Sequence, residues 1–332
     1  MKVAVMMGGV GSEREVSLQS GLAVIDALRR SGLEARGFDP GEGGWIEGER
    51  EDALRKLAVG KAPPSSTGVF QLRKMVDDLE AGTADLAFLV LHGRGGEDGT
   101  IQAILEQLGI PYTGSDAAAS SVAIDKRLTK LLLRESGIPT PRWWDGSSSL
   151  HETMGEIGFP CVVKPTREGS SVGVKLVRSP GELHTLLTGR AAISSPVLVE
   201  TFLPGREFSV GVLGEEVLEP GEIVPQGSEL FDYASKYQVG GAKEIFPAEI
   251  DGELRGRLRE LAMQVHQCLK LRDYSRVDFR LDVNGKPQCL EVNTLPGMTP
   301  FSLLPRSAAA AGISFEELCS RMVDLALARS SR

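Results

Sequence analysis

Tyr274-Ser-Arg-Val-Asp-Phe-Arg-Leu281 and Pro287-Gln-Cys-Leu-Glu-Val-Asn293 are two strand-like runs that flank the dipeptide Asn284-Gly285. Asn-Gly is the strongest short signal for a β-hairpin, because a type I′ turn needs a positive φ at both of its central residues. The three pieces together predict an antiparallel hairpin with a two-residue loop, in which Val283 pairs with Lys286.

This register sets two acidic side chains against each other, since Asp278 then faces Glu291. Arg276 faces Asn293 on the same side of the ribbon, because side chains alternate with a period of two. The other side is the predicted core face, which carries Val277, Phe279, Leu281, Leu290 and Val292. Two carboxylates opposed at about 5 Å repel each other, which destabilises the hairpin. Together with the Asn oxygen beside them, they indicate a binding site for a divalent cation such as Mg²⁺, which would offset this repulsion. Considered alone, the hairpin is more typical of a solvated, charged surface than of a metal site.

The bulk composition is that of an ordinary globular protein. The chain has 332 residues, of which 41% are hydrophobic and 25% are charged, enough for two or three domains. A net charge of -8 argues against a nucleic-acid partner. No apolar run approaches the length of a membrane span or a signal peptide, and the four cysteines are scattered without metal-binding spacing. These features predict a cytoplasmic protein with reduced thiols and no membrane partner.

Hydrophobic periodicity divides the chain into two parts. Up to about residue 114, strands alternate with helices, which predicts a parallel sheet wound with helices. We expect strands at 2–7, 34–39 and 84–91, helices at 16–30, 69–80 and 100–108, and a loop-bearing excursion at 41–66. The later part is predicted to hold strands at 160–164, 172–178, 197–202 and 206–213, a loop-rich stretch to 247, and helices at 125–135, at 252–269, and after Ser179 and Ser314.

Two glycine-rich loops follow predicted strands. Lys164-Pro-Thr-Arg-Glu-Gly-Ser-Ser-Val-Gly173 could present backbone N–H groups to phosphate oxygens, although a flexible turn is the alternative. Leu91-His-Gly-Arg-Gly-Gly-Glu-Asp-Gly99 ends a buried strand, where open α/β sheets bind ligands, and a sharp surface loop is the alternative. Gly8-Gly-Val-Gly-Ser-Glu13 is an incomplete dinucleotide fingerprint, because the third glycine would have to be at Arg14. A nicotinamide dehydrogenase is therefore the weaker interpretation.

Three further segments could complete a ligand site. Pro196-Val-Leu-Val-Glu-Thr-Phe-Leu203 could offer backbone groups to a purine, although, considered alone, an ordinary strand end is clearly the better explanation. Thr294-Leu-Pro-Gly-Met-Thr-Pro-Phe-Ser302 contains a rigid Pro-Gly turn that could aim amides at a developing oxyanion. Asp232-Tyr-Ala-Ser-Lys-Tyr237 could be a lid or a plain surface loop.

Taken in this order, these segments resemble the bacterial D-alanine–D-alanine ligases of the ATP-grasp superfamily over nearly the whole chain. The resemblance is carried by Gly8-Gly9, Ser12-Glu-Arg-Glu-Val-Ser17, His92-Gly-Arg-Gly-Gly-Glu-Asp-Gly99, Asp125-Lys126, Lys164 to Gly173, Ser235-Lys-Tyr237, Arg276-Val-Asp278 and Glu291-Val-Asn-Thr-Leu-Pro-Gly-Met298. It implies a three-domain ATP-grasp α/β fold. A parallel N-terminal α/β domain (1–114) would precede two α+β subdomains that clasp ATP, a central one with the phosphate loop (115–200) and a C-terminal one with the lid and metal site (201–332).

The resemblance also implies roles for individual residues. Catalytic roles would fall to Glu13, Ser170, Tyr237, Arg276 and Gly297. The two D-alanine molecules would be bound by His92, Glu97, Ser302 and Leu303. ATP would be bound by Lys126, Lys164, Glu168, Gly169, Ser170, Ser171, Glu200, Thr201, Leu203, Glu207 and Lys236. Two Mg²⁺ ions, or Mn²⁺, would be held by Asp278, Glu291 and Asn293.

The implied activity is ATP-dependent synthesis of D-alanyl-D-alanine for peptidoglycan, through an acyl phosphate, by a cytoplasmic homodimer. Ser235-Lys-Tyr237 favours the dipeptide-forming branch over ligases that use D-lactate or D-serine as the second substrate. A catalytically silent nucleotide-binding protein is a further alternative, against which the complete set of lysines, acids and Arg276 argues.

Overall fold

The structure is a computed structural model that describes residues 1–11, 13–56, 70–82, 84–146, 150–167, 173–188, 196–225 and 242–330. Among these residues, none of the helices is both long enough and apolar enough to cross a membrane.

The first part of the chain forms a four-stranded sheet with helices between its strands. Its strands are β1 (Lys2–Met6), β2 (Glu34–Asp39), β3 (Gly44–Ile46) and β4 (Leu86–Leu89), and its helices are α1 (Arg14–Arg30), α2 (Glu49–Lys56), α3 (Leu72–Gly82) and α4 (Thr100–Gln107). The strand order is β3-β2-β1-β4, with β1 parallel to both β2 and β4. The predicted parallel sheet is therefore confirmed. The prediction of a loop-bearing excursion at 41–66 was wrong in part, because β3 pairs antiparallel with β2 and α2 follows it.

The middle part forms a second, antiparallel sheet. Its elements are α5 (Ala117–Ile124), α6 (Lys126–Glu135), β5 (Trp143–Trp144), α7 (Leu150–Ile157), β6 (Cys161–Pro165), β7 (Lys175–Val177), α8 (Pro180–Thr188) and β8 (Val197–Thr201). The strand order is β5-β8-β6-β7. The predicted capping box of α8 is confirmed: the Glu182 amide donates to Ser179 Oγ at 3.3 Å, and Glu182 Oε2 accepts from the Arg178 amide at 2.8 Å.

The last part forms a larger antiparallel sheet. Its elements are β9 (Glu207–Leu213), β10 (Glu216–Val217), β11 (Gly221–Pro225), β12 (Ala242–Ile245), α9 (Gly252–Cys268), β13 (Tyr274–Leu281), β14 (Pro287–Asn293), α10 (Leu303–Ala310) and α11 (Phe315–Ser330). The strand order is β12-β11-β9-β13-β14, with β10 also paired to β9. The stretch before residue 247 that was expected to be rich in loops thus contributes the strands β10, β11 and β12. These strands are short and lack a clear alternation of apolar and polar residues.

Hydrophobic packing joins the two ends of the chain. The core of the parallel sheet includes Leu318, Met322 and Ala326 of α11, all fully buried. Tyr274 at the start of β13 is also buried there, and its hydroxyl donates to the Leu89 carbonyl at 3.4 Å. This packing holds the end of β4 against the start of the hairpin, and so brings the Gly-rich loop after β4 toward the acidic strands. The domain limits 1–114, 115–200 and 201–332 stay a prediction.

Candidate active site

The β13–β14 hairpin pairs the two acids as predicted, but its turn differs from the predicted one. Among the residues of the loop, Gly285 has a positive φ, of 73°, and Asn284 does not. The Gly285 amide donates to the Asp282 carbonyl at 3.0 Å, and the Asp282 amide donates to the Lys286 carbonyl at 2.9 Å. This is a three-residue loop, in which a type I turn is followed by a glycine bulge. The predicted type I′ turn was wrong.

A second bulge restores the predicted register at the acids. Leu281 pairs with Pro287 near the turn, one residue away from the expected register, whereas Asp278 pairs with Glu291 and Arg276 with Asn293. Leu290 is the extra residue between the two registers. Because of this shift Cys289 is buried on the core face and Leu290 is only half-buried, so the prediction of Leu290 in the core was wrong. A bulge beside a functional site commonly re-aims the side chains next to it.

Asp278 lies in a dense set of hydrogen bonds. Its Oδ1 accepts from Ser209 Oγ at 2.8 Å and from Arg276 Nε at 3.0 Å. Its Oδ2 accepts from Arg276 Nη2 at 2.8 Å and from Asn293 Nδ2 at 3.3 Å. Burial disfavours the charged guanidinium, but the Asp278 carboxylate more than offsets it and raises the pKa of Arg276 above its usual range. Arg276 and Asp278 therefore form a rigid charged unit.

The donor set around Asp278 suits a magnesium ion shared with a substrate. Within the described residues no cluster of three or more His, Cys, Asp and Glu side chains could form an all-protein metal cage. Asp278, Glu291 and Asn293 offer two carboxylates and one amide. Mg²⁺ is typically bound by one or two carboxylates together with water and substrate phosphates, so these three residues fit it better than they fit zinc or calcium.

Of the two predicted phosphate-binding lysines, Lys126 lies next to these acids and Lys164 lies against Glu200. Asp125 caps α6 by accepting from the amides of the first turn, which fixes Lys126 at the start of the helix. Lys126 Nζ lies 3.5 Å from Glu291 Oε2, so a phosphate-side lysine and a predicted metal ligand are neighbours. Lys164, on β6, lies with its Nζ 2.6 Å from Glu200 Oε1 on the adjacent strand β8.

Glu200 has a second cationic partner that the sequence analysis missed. Lys130 Nζ lies 2.9 Å from Glu200 Oε2, and all three residues of this cluster are buried. Burial alone would raise the pKa of Glu200, but Lys130 and Lys164 together lower it. The available signal was the i,i+4 spacing of Lys126 and Lys130, which places both on one face of α6.

Of the remaining predicted ATP-binding residues, the structure describes Thr201, Leu203 and Glu207. Thr201 is half-buried at the end of β8, and Leu203 is buried. Glu207 opens β9, where its Oε2 lies 3.6 Å from Arg280 Nη1 across the strand pair. The sequence analysis also missed Arg280, because its partner Glu207 lies on another strand and is brought beside it only by the pairing of β9 with β13. Glu168, Gly169, Ser170, Ser171, Lys236 and Tyr237 lie outside the described residues.

Charged groups from the N-terminal sheet approach the hairpin from the other side. Glu97 is buried, and its Oε2 accepts from the Gly93 amide at 2.7 Å. Burial raises the pKa of Glu97 to about 8, with the nearby Glu13 adding to the effect and Arg276 opposing it. Burial also lowers the pKa of His92, while Glu13 opposes that shift. The electrostatic coupling shows that residues remote in the chain converge on Arg276.

His92 carries a feature typical of a binding pocket. Its Nε2 is buried and has no hydrogen-bond partner among the described residues. A buried polar atom left unpaired costs about 1–3 kcal/mol, and such atoms are common where a ligand completes the hydrogen bonds.

The loop before α1 is held by a buried ion pair. Arg14 Nη1 and Nη2 donate to the two oxygens of Asp39 at 3.0 and 2.6 Å, and the Gly9 amide donates to the same carboxylate at 3.1 Å. Gly8 has a φ of 83°, and an added Cβ would lie 2.7 Å from Arg14 Nη1, so glycine is required there. This network sets the position of Glu13, the residue just before α1.

The Pro-Gly turn lies between the hairpin and α10. Ser302, the residue before α10, accepts from the Thr299 amide through its Oγ at 3.1 Å, and Leu303, which follows it, is half-buried. A Cβ on Gly297 would lie 2.9 Å from Ser302 Oγ, so this close approach requires glycine. The Met298 amide donates to Ser20 Oγ of α1 at 3.3 Å, which ties the turn to the N-terminal sheet.

Comparison with known proteins gives consistent matches along the chain. The family model for the D-ala D-ala ligase N-terminus matches residues 2–115, and the model for the D-ala D-ala ligase C-terminus matches residues 133–324. The D-alanine--D-alanine ligase of Nitrosospira multiformis is 41% identical over 327 residues, which cover 98% of this chain and 96% of the relative. D-alanine--D-alanine ligase B of Chromobacterium violaceum is 39% identical, with 97% of each chain covered. The crystal structure of the Bacillus anthracis D-alanine--D-alanine ligase complexed with ATP is similar with a TM-score of 0.78 and 31% identity, over 100% of this chain and 99% of that one.

Proposed function

This chain belongs to the D-alanine–D-alanine ligase family, and on that premise we propose that it joins two D-alanine molecules into D-alanyl-D-alanine with cleavage of ATP. The product serves as a precursor of peptidoglycan. One observation supports the proposal above others: His92 and Glu97, in the loop after β4, lie close enough to Arg276 of the acidic hairpin for its charge to act on both, and Glu13 acts on the same two residues. An amino-acid pocket therefore adjoins a site suited to phosphates.

In the first step, the carboxylate of one D-alanine attacks the γ-phosphorus of ATP. The bond between that phosphorus and the β,γ-bridging oxygen breaks, ADP leaves, and an acyl phosphate forms. Lys126 and Lys164 bind the phosphates, while Glu200, Thr201, Leu203 and Glu207 contact the nucleoside. Asp278, Glu291 and Asn293 would hold Mg²⁺, which when bound would supply neutralisation of the phosphate charge. Mn²⁺ offers the same coordination chemistry.

In the second step, the neutral amine of the other D-alanine attacks the acyl carbon. The tetrahedral intermediate carries an oxyanion, which Arg276 and the Gly297 amide stabilise. The C–O bond to phosphate then breaks, inorganic phosphate leaves, and the nitrogen loses a proton. Ser302 and Leu303 receive the carboxylate of the second D-alanine, while His92 and Glu97 line the pocket of the first. Glu13 binds the ammonium of the first D-alanine, and the catalytic roles predicted for Ser170 and Tyr237 are part of the same proposal.

The experiment that tests this function is phosphate release from ATP with defined substrates. We expect rapid release with D-alanine alone and formation of D-alanyl-D-alanine, with little release when L-alanine replaces it. Strong turnover only when D-lactate or D-serine accompanies D-alanine would assign the chain to a different second substrate. Absence of any amino-acid-dependent phosphate release at high Mg²⁺ would leave a nucleotide-binding protein without ligase activity. The predicted homodimer is tested separately by sedimentation velocity.

A further inference from the structure

Lys130 is a buried lysine that none of the roles above uses. Its side chain is only 1% exposed, which makes it one of the largest fully buried side chains in the described residues. An ammonium removed from water is destabilising unless it is paired and hydrogen-bonded. Its position one turn after Lys126 places it on the same face of α6 as that proposed phosphate-binding residue.

The hydrogen bonds of Lys130 show that it is a fixed internal cation. Its Nζ lies 2.9 Å from Glu200 Oε2, and it donates to Thr140 Oγ1 at 2.8 Å and to the Pro141 carbonyl at 3.2 Å. An ammonium has three N–H donors, and Thr140 and Pro141 accept two of them. Glu200 Oε2 contacts the ammonium as an ion pair and has no hydrogen-bond partner among the described residues. Lys130 therefore differs from a lysine that binds a phosphate directly.

The charge balance of the cluster depends on Lys130. Glu200 is shared by two lysines, since its other oxygen lies 2.6 Å from Lys164 Nζ. Two cations against one carboxylate leave a net charge of +1 beside the cleft. Without Lys130, Glu200 and Lys164 would form a closed neutral pair, and an incoming phosphate would compete with Glu200 for Lys164.

The same cluster is connected to the acidic hairpin. Thr140 Oγ1, which accepts from Lys130, donates to the Cys289 carbonyl at 2.9 Å. Cys289 lies two residues before Glu291 on β14, next to the Leu290 bulge. A change at Lys130 can therefore also reach the strand that carries a predicted metal ligand.

We propose that Lys130 is a positioning residue for ATP: as the second counter-ion of Glu200, it orients that carboxylate toward the adenine and leaves Lys164 available to the phosphates. This inference rests on the proposed nucleotide site. Lys130 acts through Glu200 and Lys164 and makes no contact with the nucleotide. Replacing Lys130 should therefore change the affinity for ATP more than the rate of the chemical step.

The test is a double-mutant cycle on ATP binding, measured by calorimetry with Mg²⁺-ATP and the full-length chain. Lys130→Met keeps the length of the side chain and removes its charge, and we expect it to weaken ATP binding about tenfold or more. In a Glu200→Gln background, the same change should weaken binding by less than about threefold, because the residue it acts through is already neutral. Lys56→Met, at an exposed lysine at the end of α2, is the matched control and should leave ATP binding unchanged.

Two results would overturn the proposal. One is ATP binding by Lys130→Met within about twofold of the unaltered protein, and the other is an equal loss in both backgrounds, which is the additivity expected of a purely structural role. If circular dichroism shows that Lys130→Met does not fold, Lys130→Gln keeps two N–H donors without the charge and is judged by the same criteria. Failure of the proposed function would appear separately, as missing D-alanine-dependent phosphate release by the unaltered protein.

Discussion

Replacing Glu97 by Gln should change how the stability of the protein depends on pH. Glu97 is 8% exposed, and burial raises its pKa from 4.5 to about 8. Gln has nearly the same shape, and its amide oxygen can still accept from the Gly93 amide, but it cannot ionise. The substitution therefore removes the titratable group and retains the packing.

The magnitude follows from the two pKa values. Between pH 4.5 and pH 8 the folded chain holds a proton on Glu97 that the unfolded chain has released. The folded state then binds more protons than the unfolded state, so the free energy of unfolding falls as the pH rises, by about 1.4 kcal/mol per pH unit. From pH 6 to pH 8 the unaltered protein should lose about 2–3 kcal/mol of unfolding free energy through Glu97. Glu97→Gln cannot ionise, so its unfolding free energy should not show this decrease.

Urea unfolding at pH 6, 7 and 8 measures the effect. We expect the free energy of unfolding of Glu97→Gln to rise relative to that of the unaltered protein by about 2–3 kcal/mol across this range. Glu80→Gln, the same change at an exposed position of α3, is the control and should follow the unaltered protein. A constant difference between Glu97→Gln and the unaltered protein from pH 6 to pH 8 would refute the reasoning, since Glu97 would then be ionised throughout.

Three further substitutions test the packing and the metal site. Asp39→Asn removes the nearer counter-charge of the buried Arg14, whose Nη2 lies 2.6 Å from Asp39 Oδ2 and 3.9 Å from Glu42 Oε1, and should lower the free energy of unfolding by about 3–5 kcal/mol in urea melts; a loss below about 1 kcal/mol would contradict a stabilising role. Ser209→Ala removes the 2.8 Å hydrogen bond to Asp278 and should raise the Mg²⁺ concentration for half-maximal rate about 10–100-fold, whereas an unchanged Mg²⁺ dependence would argue against Asp278 as a ligand. Asp278→Asn should slow turnover about 100-fold or more at saturating ATP, and near-normal rates would show that the metal site was assigned wrongly.

Local patterns were sufficient for most of the secondary structure. The alternation of buried strands and amphipathic helices predicted β1, α1, β2 and α4 to within about two residues, because periodicity reports directly which side of an element is buried. The short strands β3, β10, β11 and β12 were missed, because two to five residues carry too little periodicity, and each is stabilised by the strand beside it.

The hairpin shows how a correct pairing can rest on an incorrect turn. Asn284-Gly285 predicted the opposition of Asp278 and Glu291, but the loop is one residue longer and the Leu290 bulge compensates for it. Turn chemistry is local and readable, whereas the bulge depends on how β14 packs in the finished sheet.

The sequence by itself determined the order of the elements, the family resemblance, the acidic pair and the predicted ligands, because each depends on neighbours in the chain. Only the tertiary structure decided which charges meet. Lys130 and Glu200 are 70 residues apart in sequence, yet their side chains lie 2.9 Å apart. Likewise, the raised pKa of Glu97 comes from its burial and from the nearby Glu13, against the opposing charge of Arg276. Charge interactions act through space and strengthen as water is excluded, so their strength is set by the folded arrangement and not by spacing along the chain.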